Sequence, residues 1–156
     1  MKKIIMMLVF LSAQIWANDK ASGTLDKFHQ AAAKADFHNY FSVFAEKGVF
    51  MGTDGSERWT KNQFKDYVKV YFDQGKGWLY QPSSRHFITT DNDDILLFDE
   101  LLENSNYGQC RGSGVLIRNK MGWQILQYNL SITVPNGVAT EVVNSISQFN
   151  KSNASQ

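Results

Sequence analysis

The segment YGQCRGSGVLIRNKMGWQILQYNLSITV, Tyr107–Val134, contains two extended stretches joined by a short loop. Trp123–Val134 is rich in aliphatic and aromatic residues, and Tyr107–Arg118 contains the aliphatic run Val115–Ile117. Between them, Asn119–Gly122 has the polar and glycine residues typical of a hairpin loop. Small residues that permit bulges or strong curvature occur three times in the first stretch: Gly108, Gly112 and Gly114. The segment therefore predicts a long, strongly bent antiparallel hairpin.

The residues on either side of this hairpin extend the pattern. Before it, a polar turn at 91–94 precedes an apolar strand, Ile95–Leu102, and follows one or two further strands within Trp78–Thr90. After it, the residues Pro-Asn-Gly end the last strand, and Val138–Phe149 has the composition of a helix. The C-terminal half of the chain thus predicts an antiparallel meander closed by a helix.

The preceding residues show helical spacing instead. Ser22 or Thr24 can cap a first helix, because apolar residues recur at three- and four-residue intervals after them. A second, short helix is predicted after Asp36 and ends at Gly48, and Thr60 is a good cap for a third. Three helices followed by an antiparallel sheet constitute an α+β pattern.

Composition limits the class of protein. The chain has 156 residues, 43% of them hydrophobic, which suits one domain with a substantial core. A single cysteine, Cys110, can form neither an intramolecular disulfide nor a cysteine-based zinc site, and we expect it to be buried. The formal net charge of +1 argues against a general nucleic-acid-binding protein, which would carry a basic excess.

The N-terminus has the pattern of a secretory signal peptide. Lys2–Lys3 provides a basic start, Ile4–Ala13 is apolar but too short to span a bilayer, and Ala17 offers a small residue before a polar stretch. No cysteine follows the apolar run, which excludes a lipid anchor. We therefore expect an exported, periplasmic protein without membrane insertion after cleavage. The predicted divisions are a signal peptide, one domain and a tail, at 1–17, 18–150 and 151–156.

Four parts of the sequence indicate a known family: Phe50–Asp54 with Glu57–Trp59, Phe98–Leu101, Tyr107–Leu116 and Gly122–Ser131. The last two form a long strand, a Gly-Trp turn and a strand that ends in Ser. Together with the order of elements, they resemble the NTF2-like superfamily, and within it the SnoaL-like branch, over about Leu25 to Asn136.

This resemblance implies an NTF2-like cone in which three N-terminal helices pack on a strongly curved mixed or antiparallel sheet. It also implies a deep, mostly apolar cavity and a homodimer paired across the sheet. In active members of the superfamily, a few polar groups in the cavity perform general acid–base catalysis on a small hydrophobic molecule. Many SnoaL-like proteins have His where this chain has Asn129, and Asn cannot exchange a proton near neutral pH, so a histidine mechanism does not carry over at that position.

Strand alternation brings a polar cluster onto an otherwise apolar surface. Glu100, Arg111 and either Gln127 or Asn129 are predicted to share one face of three adjacent strands. Glu100 would then be a cavity carboxylate kept ionised by Arg111, acting as a general base or a ligand anchor. Equally, the pair would be a cross-strand ion pair that stabilises the sheet or a dimer face.

Asp54 is the second candidate catalytic carboxylate. It follows a predicted short strand, Val49–Met51, and could act as a general base at the mouth of a cavity. A carboxylate in a Gly-Thr-Asp-Gly-Ser run more often forms an Asx turn or a helix cap, and that structural role is favoured.

Aromatic and amide side chains complete the candidate ligand site: Phe50, Trp59, Arg111, Gln127, Tyr128 and Asn129. Trp59 is expected to pack against Phe50 and the third helix. The three histidines lack the spacing of metal ligands, so we expect neither a metal nor another cofactor.

Three functions are compatible with these features. The first is an exported SnoaL-like protein that binds a small hydrophobic molecule without chemistry of its own. The second is an isomerase, dehydratase or hydrolase that uses Asp54 or Glu100 as general base. The third is a non-catalytic, dimeric interaction module. The position of the two carboxylates relative to the cavity distinguishes the second from the others.

Overall fold

The computed structural model describes the backbone of residues 2–154 and the side chains of residues 18–154. It contains four α-helices, a short 3-10 helix and six strands within those residues. In chain order they are α1 (Lys2–Ala33), α2 (Phe37–Ser42), β1 (Phe44–Met51), β2 (Arg58–Thr60), α3 (Lys61–Phe72), β3 (Gln81–Thr89), β4 (Ile95–Asn104), β5 (Gly108–Asn119), β6 (Gly122–Ile132), the 3-10 helix (Asn136–Val138) and α4 (Ala139–Asn153).

The strands form one six-stranded sheet in the order β2-β1-β6-β5-β4-β3. β1 runs parallel to β6, and every other neighbouring pair is antiparallel. The helices α1, α2 and α3 contribute buried residues to the core on one side of this sheet. The predicted α+β class and the NTF2-like cone with three N-terminal helices on a curved mixed sheet are therefore confirmed.

The predicted second helix extends too far. Phe44 belongs to β1, where it pairs with Ile125 of β6, and Gly48 lies inside this strand instead of ending a helix. A Cβ atom at Gly48 would lie 2.9 Å from the carbonyl oxygen of Ala45, an earlier residue of the same strand, at the irregularity in β1 between Phe44 and Val49. Long-range pairing with β6 thus overrides the helical spacing of the aromatic residues.

The first helix is longer than its caps suggested. It runs from Lys2 to Ala33, with Leu25, Phe28 and Ala32 buried on one face as their spacing predicts. The side chains of residues 1–17 lie outside the described part of the chain, so the signal peptide stays a prediction. None of the helices that the structure describes is long and apolar enough to cross a membrane.

Several local predictions hold. Thr60 caps α3 in a capping box with Gln63, Trp59 stacks on Phe50 and Phe64, and Cys110 is fully buried. The C-terminal helix continues to Asn153, beyond the point where the tail was predicted to start, and Ser155 and Gln156 lie outside the described residues.

A bulge in β6 determines which side chains face the helices. Val115 of β5 pairs with Gln127, whereas the next residue, Leu116, pairs with Ile125, which leaves Leu126 as an extra residue in β6. The alternation of side chains reverses at this extra residue. Ile125 and Tyr128 consequently both point to the core, and each has at most 1% of its surface exposed.

Candidate functional site

A cavity of about 400 Å³ lies between the inner face of the sheet and the helices. We call it the aromatic cavity, because more than half of its lining residues are Phe, Tyr or Trp. Its lining comprises Phe28, His29, Ala32, Tyr40, Phe50, Gly52, Thr53, Glu57, Trp59, Phe64, Tyr67, Tyr71, Gly77, Trp78, Tyr80, Asn104, Asn106, Tyr107, Tyr128 and Leu130.

Exposure increases along the cavity. Phe28, Tyr40 and Tyr128 are buried at its floor, whereas Tyr67 and Tyr107 are 39% and 50% exposed at its mouth. The mouth is formed by the turn between β1 and β2, the loop between β4 and β5, and the exposed side of α3. The cavity is therefore open to solvent at one end and closed by the core at the other.

Stacked rings form one wall of the cavity. Phe50 and Phe64 lie nearly parallel with centroids 4.1 Å apart, and Tyr128 is parallel to Phe50 at 5.7 Å. Trp59 stacks on Phe64 at 5.6 Å and on Tyr67 at 4.7 Å. The capping box at Thr60 fixes the start of α3, which places Phe64 and Tyr67 on the side of that helix facing β1 and β2.

The floor of the cavity contains a buried acid–base pair. Nε2 of His29 lies 2.7 Å from Oε1 of Glu100, and the hydroxyl of Tyr128 donates to the same oxygen at 2.8 Å. His29 is on α1, Glu100 on β4 and Tyr128 on β6, so three distant segments meet here. His29 and Tyr128 line the cavity, whereas Glu100 is fully buried behind them.

Arg85 neutralises the other oxygen of Glu100. Its Nε donates to Oε2 at 2.8 Å, and its Nη2 lies at the same distance from Oε2 without an aligned N–H. Nη1 of Arg85 donates to Oδ1 of Asp26 at 2.8 Å and to Oγ of Ser22 at 2.6 Å. The buried carboxylate thus has a cation on one side and hydrogen-bond donors on the other, which offsets the cost of its burial.

This arrangement sets the protonation of the site. Burial raises the pKa of Glu100, but hydrogen bonds from His29 and Tyr128 and the charge of Arg85 outweigh it, so the pKa lies below its usual value. Burial and the neighbouring Glu100 raise the pKa of Tyr128 well above its usual value. Because the ionised Glu100 only accepts hydrogen bonds, Nε2 of His29 carries the hydrogen of their contact, and Nδ1 is the second nitrogen of this ring. That Nδ1 has no hydrogen-bond partner among the described residues.

The predicted cluster of Glu100 and Arg111 is wrong. Glu100 pairs with Gly112 across the strands and Arg111 pairs with Leu101, so the two charges project from opposite faces of the sheet. Arg111 is exposed on the outer face, 3.6 Å from Asp99. The cation that neutralises Glu100 comes from β3 instead.

The β6 bulge likewise removes the predicted amides from the cavity. Gln127 is exposed and Asn129 is half-buried, and neither lines the aromatic cavity. Both belong to the outer face, because Leu126 is an extra residue and Tyr128 takes the inner position. Simple alternation placed Gln127 on the face of Ile125, and the bulge reverses that relation.

Asp54 lies outside the cavity lining. Its exposed Oδ1 accepts hydrogen bonds from the backbone nitrogen of Ser56 at 2.8 Å and from the Ser56 hydroxyl at 2.6 Å. These bonds lower the pKa of Asp54. The residue has the Asx-turn geometry that the sequence favoured, and it is not positioned as a base towards the cavity.

The remaining candidates line the cavity. Phe50, Trp59 and Tyr128 all contribute to its walls, and their role in ligand binding stays a prediction. Sequence reasoning missed His29 and Arg85 as parts of the site. The one available signal for His29 is its place on the apolar face of α1, where a polar residue needs a partner.

Within residues 18–154 no group of three or more His, Cys, Asp or Glu side chains could hold a metal ion. At the floor of the cavity, His29, Glu100 and Tyr128 together can hold and move one proton.

A family model described as SnoaL-like domain matches residues 22–135 of the chain. This range begins in α1 and ends after β6, so it contains the whole sheet and the aromatic cavity. No curated protein matches the chain.

Solved structures share the fold at low sequence identity. An NTF2-like protein of unknown function from Pseudomonas putida has a TM-score of 0.65 and 12% identity, covering 78% of this chain and 90% of its own. A protein from Streptomyces avermitilis, named as a candidate dehydratase of the NTF2-like family, has a TM-score of 0.61 and 13% identity, with coverages of 75% and 96%. A candidate scytalone dehydratase from Novosphingobium aromaticivorans has a TM-score of 0.65 and 6% identity, with coverages of 80% and 89%.

Proposed function

The chain belongs to the SnoaL-like domain family, and on that premise we propose that it is an exported protein that binds a small hydrophobic molecule in the aromatic cavity. The observation that carries the proposal is the cavity itself, about 400 Å³ in volume and lined mainly by aromatic rings. This volume lies in the range of small-molecule sites, and such walls favour a ligand with a large apolar surface. The polar groups at its floor would orient the ligand.

Binding of a neutral fluorescent probe tests this proposal. We expect N-phenylnaphthylamine to bind saturably to the processed protein, with an emission increase as it leaves water. Trp59→Ala removes a ring from the cavity wall and should weaken binding by about tenfold. Phe149→Ala removes an exposed ring of α4 outside the cavity and is the matched control. Absence of saturable binding, or equal weakening by both variants, would contradict the proposal.

A second candidate function is proton transfer on the bound molecule, with His29 as the base. The observation that favours it is the contact of Nε2 of His29 with Glu100, because it leaves Nδ1 of this cavity-lining residue without a partner among the described residues. Nδ1 would take a proton from a C–H or O–H group of the ligand, and Glu100 would stabilise the resulting imidazolium. Return of that proton to another carbon would be an isomerisation, and its transfer to a departing hydroxyl would be a dehydration. The Streptomyces avermitilis protein of similar fold is named as a candidate dehydratase.

Hydrogen–deuterium exchange distinguishes this second function from binding alone. In deuterated water, the protein should accelerate exchange of the acidic C–H protons of a neutral aromatic ketone that binds the cavity, as measured by nuclear magnetic resonance. His29→Gln should abolish the acceleration while retaining N-phenylnaphthylamine binding. The same exchange rate in His29→Gln would exclude His29 as the base.

Export and assembly are also part of the proposal. The basic start and short apolar run of residues 1–17 support removal of a signal peptide and a periplasmic location. Exposed apolar side chains on the outer face of the sheet, Ile88 and Leu97 among them, support a homodimer paired across that face.

A further inference from the structure

We propose that the molecule bound in the aromatic cavity is an organic cation, whose ammonium group lies at the mouth and whose apolar part points inward. This inference rests on the proposed function, because it names the ligand class of the same cavity. Four features of the mouth carry it: the sign of its charge, the way that charge is held, the inclination of its rings and the neutrality of its phenols.

The mouth has a carboxylate and no opposing cation. Glu57 lines the cavity, whereas no Lys or Arg side chain between residues 18 and 154 does so. Glu57 also forms no ion pair with any residue in that range. Its charge is therefore available to a ligand, and an anionic ligand would meet repulsion without any compensating partner.

The Glu57 carboxylate is held in place. Its Oε2 accepts a hydrogen bond from the backbone nitrogen of Asp54 at 3.2 Å. The same oxygen lies directly against the Cα of Gly52, where a Cβ atom would collide with it. Glycine at position 52 thus makes room for the carboxylate at the edge of the cavity. A charged side chain that is already held in place loses less conformational entropy on ligand binding than a mobile surface side chain loses.

Aromatic rings line the same cavity as this carboxylate, and they do so at different angles. Tyr67 is inclined by 53° to Tyr71, and Tyr71 is inclined by 73° to Trp78. Because these rings are not coplanar, a group at the mouth meets ring faces as well as ring edges. An ammonium group is attracted to the negative face of an aromatic ring, most strongly to Trp, and this attraction is absent for a neutral group of the same shape.

The phenols of the mouth add no competing charge. Burial, the hydrogen bond with Tyr71 and the charge of Glu57 together raise the pKa of Tyr67 to about 12. Tyr67 is therefore neutral at pH 7, and its ring keeps the quadrupole of an uncharged phenol. His29, the group that can itself carry a positive charge, is buried at the opposite end of the cavity beside Glu100.

A pair of isosteric ligands tests the inference. The cation meta-hydroxyphenyltrimethylammonium and the neutral meta-tert-butylphenol differ by replacement of the ammonium nitrogen with carbon. Titration calorimetry on the full processed protein should give about tenfold tighter binding for the cation. Glu57→Gln keeps the acceptor for the Asp54 nitrogen and should reduce the preference at least about threefold. Glu141→Gln, with the same change of charge on exposed α4, should leave the preference unchanged.

The outcomes separate this inference from the proposed function. The cation inference is overturned if meta-tert-butylphenol or N-phenylnaphthylamine binds as tightly as the cation. It is also overturned if either neutral compound binds and the cation does not. Both outcomes leave small-molecule binding intact. Failure of all three compounds to bind overturns both. The role of Glu57 is overturned if the preference for the cation is the same in Glu57→Gln, in Glu141→Gln and in the unaltered protein. In that case, Tyr67→Leu measures the contribution of the rings alone.

Discussion

Glu100 shows how a fully buried carboxylate can remain ionised in this protein. Three side chains satisfy it, Arg85 at one oxygen and His29 and Tyr128 at the other, at distances of 2.7 to 2.8 Å. Removal of one partner from a buried charged group usually costs several kcal/mol, because the remaining charges stay buried without compensation. The network is therefore expected to stabilise the fold at neutral pH as well as to orient His29.

The pH dependence of unfolding tests this role. The pKa of Glu100 is lower in the folded chain than its usual value of 4.5, so its contribution is complete above about pH 5 and is lost as the pH falls through the folded pKa. Glu100→Gln should lower the free energy of unfolding at pH 7 by about 3 kcal/mol. The difference between variant and unaltered protein should narrow towards pH 3.

Urea unfolding at a series of pH values measures this effect. Glu103→Gln, an exposed glutamate on the same strand, is the control and should follow the unaltered protein throughout. A difference that stayed constant from pH 7 to pH 3 would show that the ionisation of Glu100 does not contribute to stability.

Among the elements, the β5–β6 hairpin determines the composition of the site. The extra residue at Leu126 places Tyr128 on the inner face, and Gly112 of β5 leaves room for the Tyr128 hydroxyl. The glycines of β5 were predicted to permit curvature. The structure shows an additional role at Gly112, which is to let the tyrosine reach Glu100.

Gly112→Ala tests this close approach. The added Cβ would collide with the Tyr128 hydroxyl and would lie 3.1 Å from Cγ of Glu100. Displacement of the tyrosine should break its hydrogen bond and lower the free energy of unfolding by about 1–3 kcal/mol. Gly55→Ala, where a Cβ would meet no atom within 4 Å, should change it by less than about 0.5 kcal/mol. Equal stability of both variants in urea unfolding would disprove the proposed packing role.

At the level of the whole molecule, the sheet has two different faces. The inner face forms the core and the aromatic cavity with the helices, and the outer face carries exposed apolar residues such as Ile88 and its cross-strand partner Leu97. A second copy of the chain could cover these residues. In this proposal, the inner face binds the ligand and the outer face forms the dimer.

Leu97→Asp tests assembly without altering the cavity. We expect the unaltered protein to sediment as a dimer and the variant as a monomer, because a charge in an apolar interface is costly to desolvate. N-phenylnaphthylamine binding should persist in the variant, since Leu97 does not line the cavity. A monomeric unaltered protein at micromolar concentrations would contradict pairing across the outer face.

Expression of the full chain in a Gram-negative host tests export. The intact mass of the recovered protein should correspond to a chain that begins at Asn18, and the protein should appear in the periplasmic fraction. Replacement of Lys2 and Lys3 by Glu should block processing. Recovery of the full-length mass from the unaltered chain would contradict the signal peptide.

Local sequence was sufficient for the types and order of most elements, because periodicity, caps and turn residues act over a few neighbouring positions. Thr60 as a cap and the curved hairpin around Gly112 were predicted in this way. The burial of Cys110 was predicted for another reason, because a lone thiol in an exported protein is usually buried. The family resemblance added the cone. Only the tertiary structure identified the partners of Glu100, because these depend on strand register and on a one-residue bulge that reverses side-chain alternation. His29 and Arg85 are 71 and 15 residues from Glu100 in sequence, and no local pattern specifies contacts at such separations.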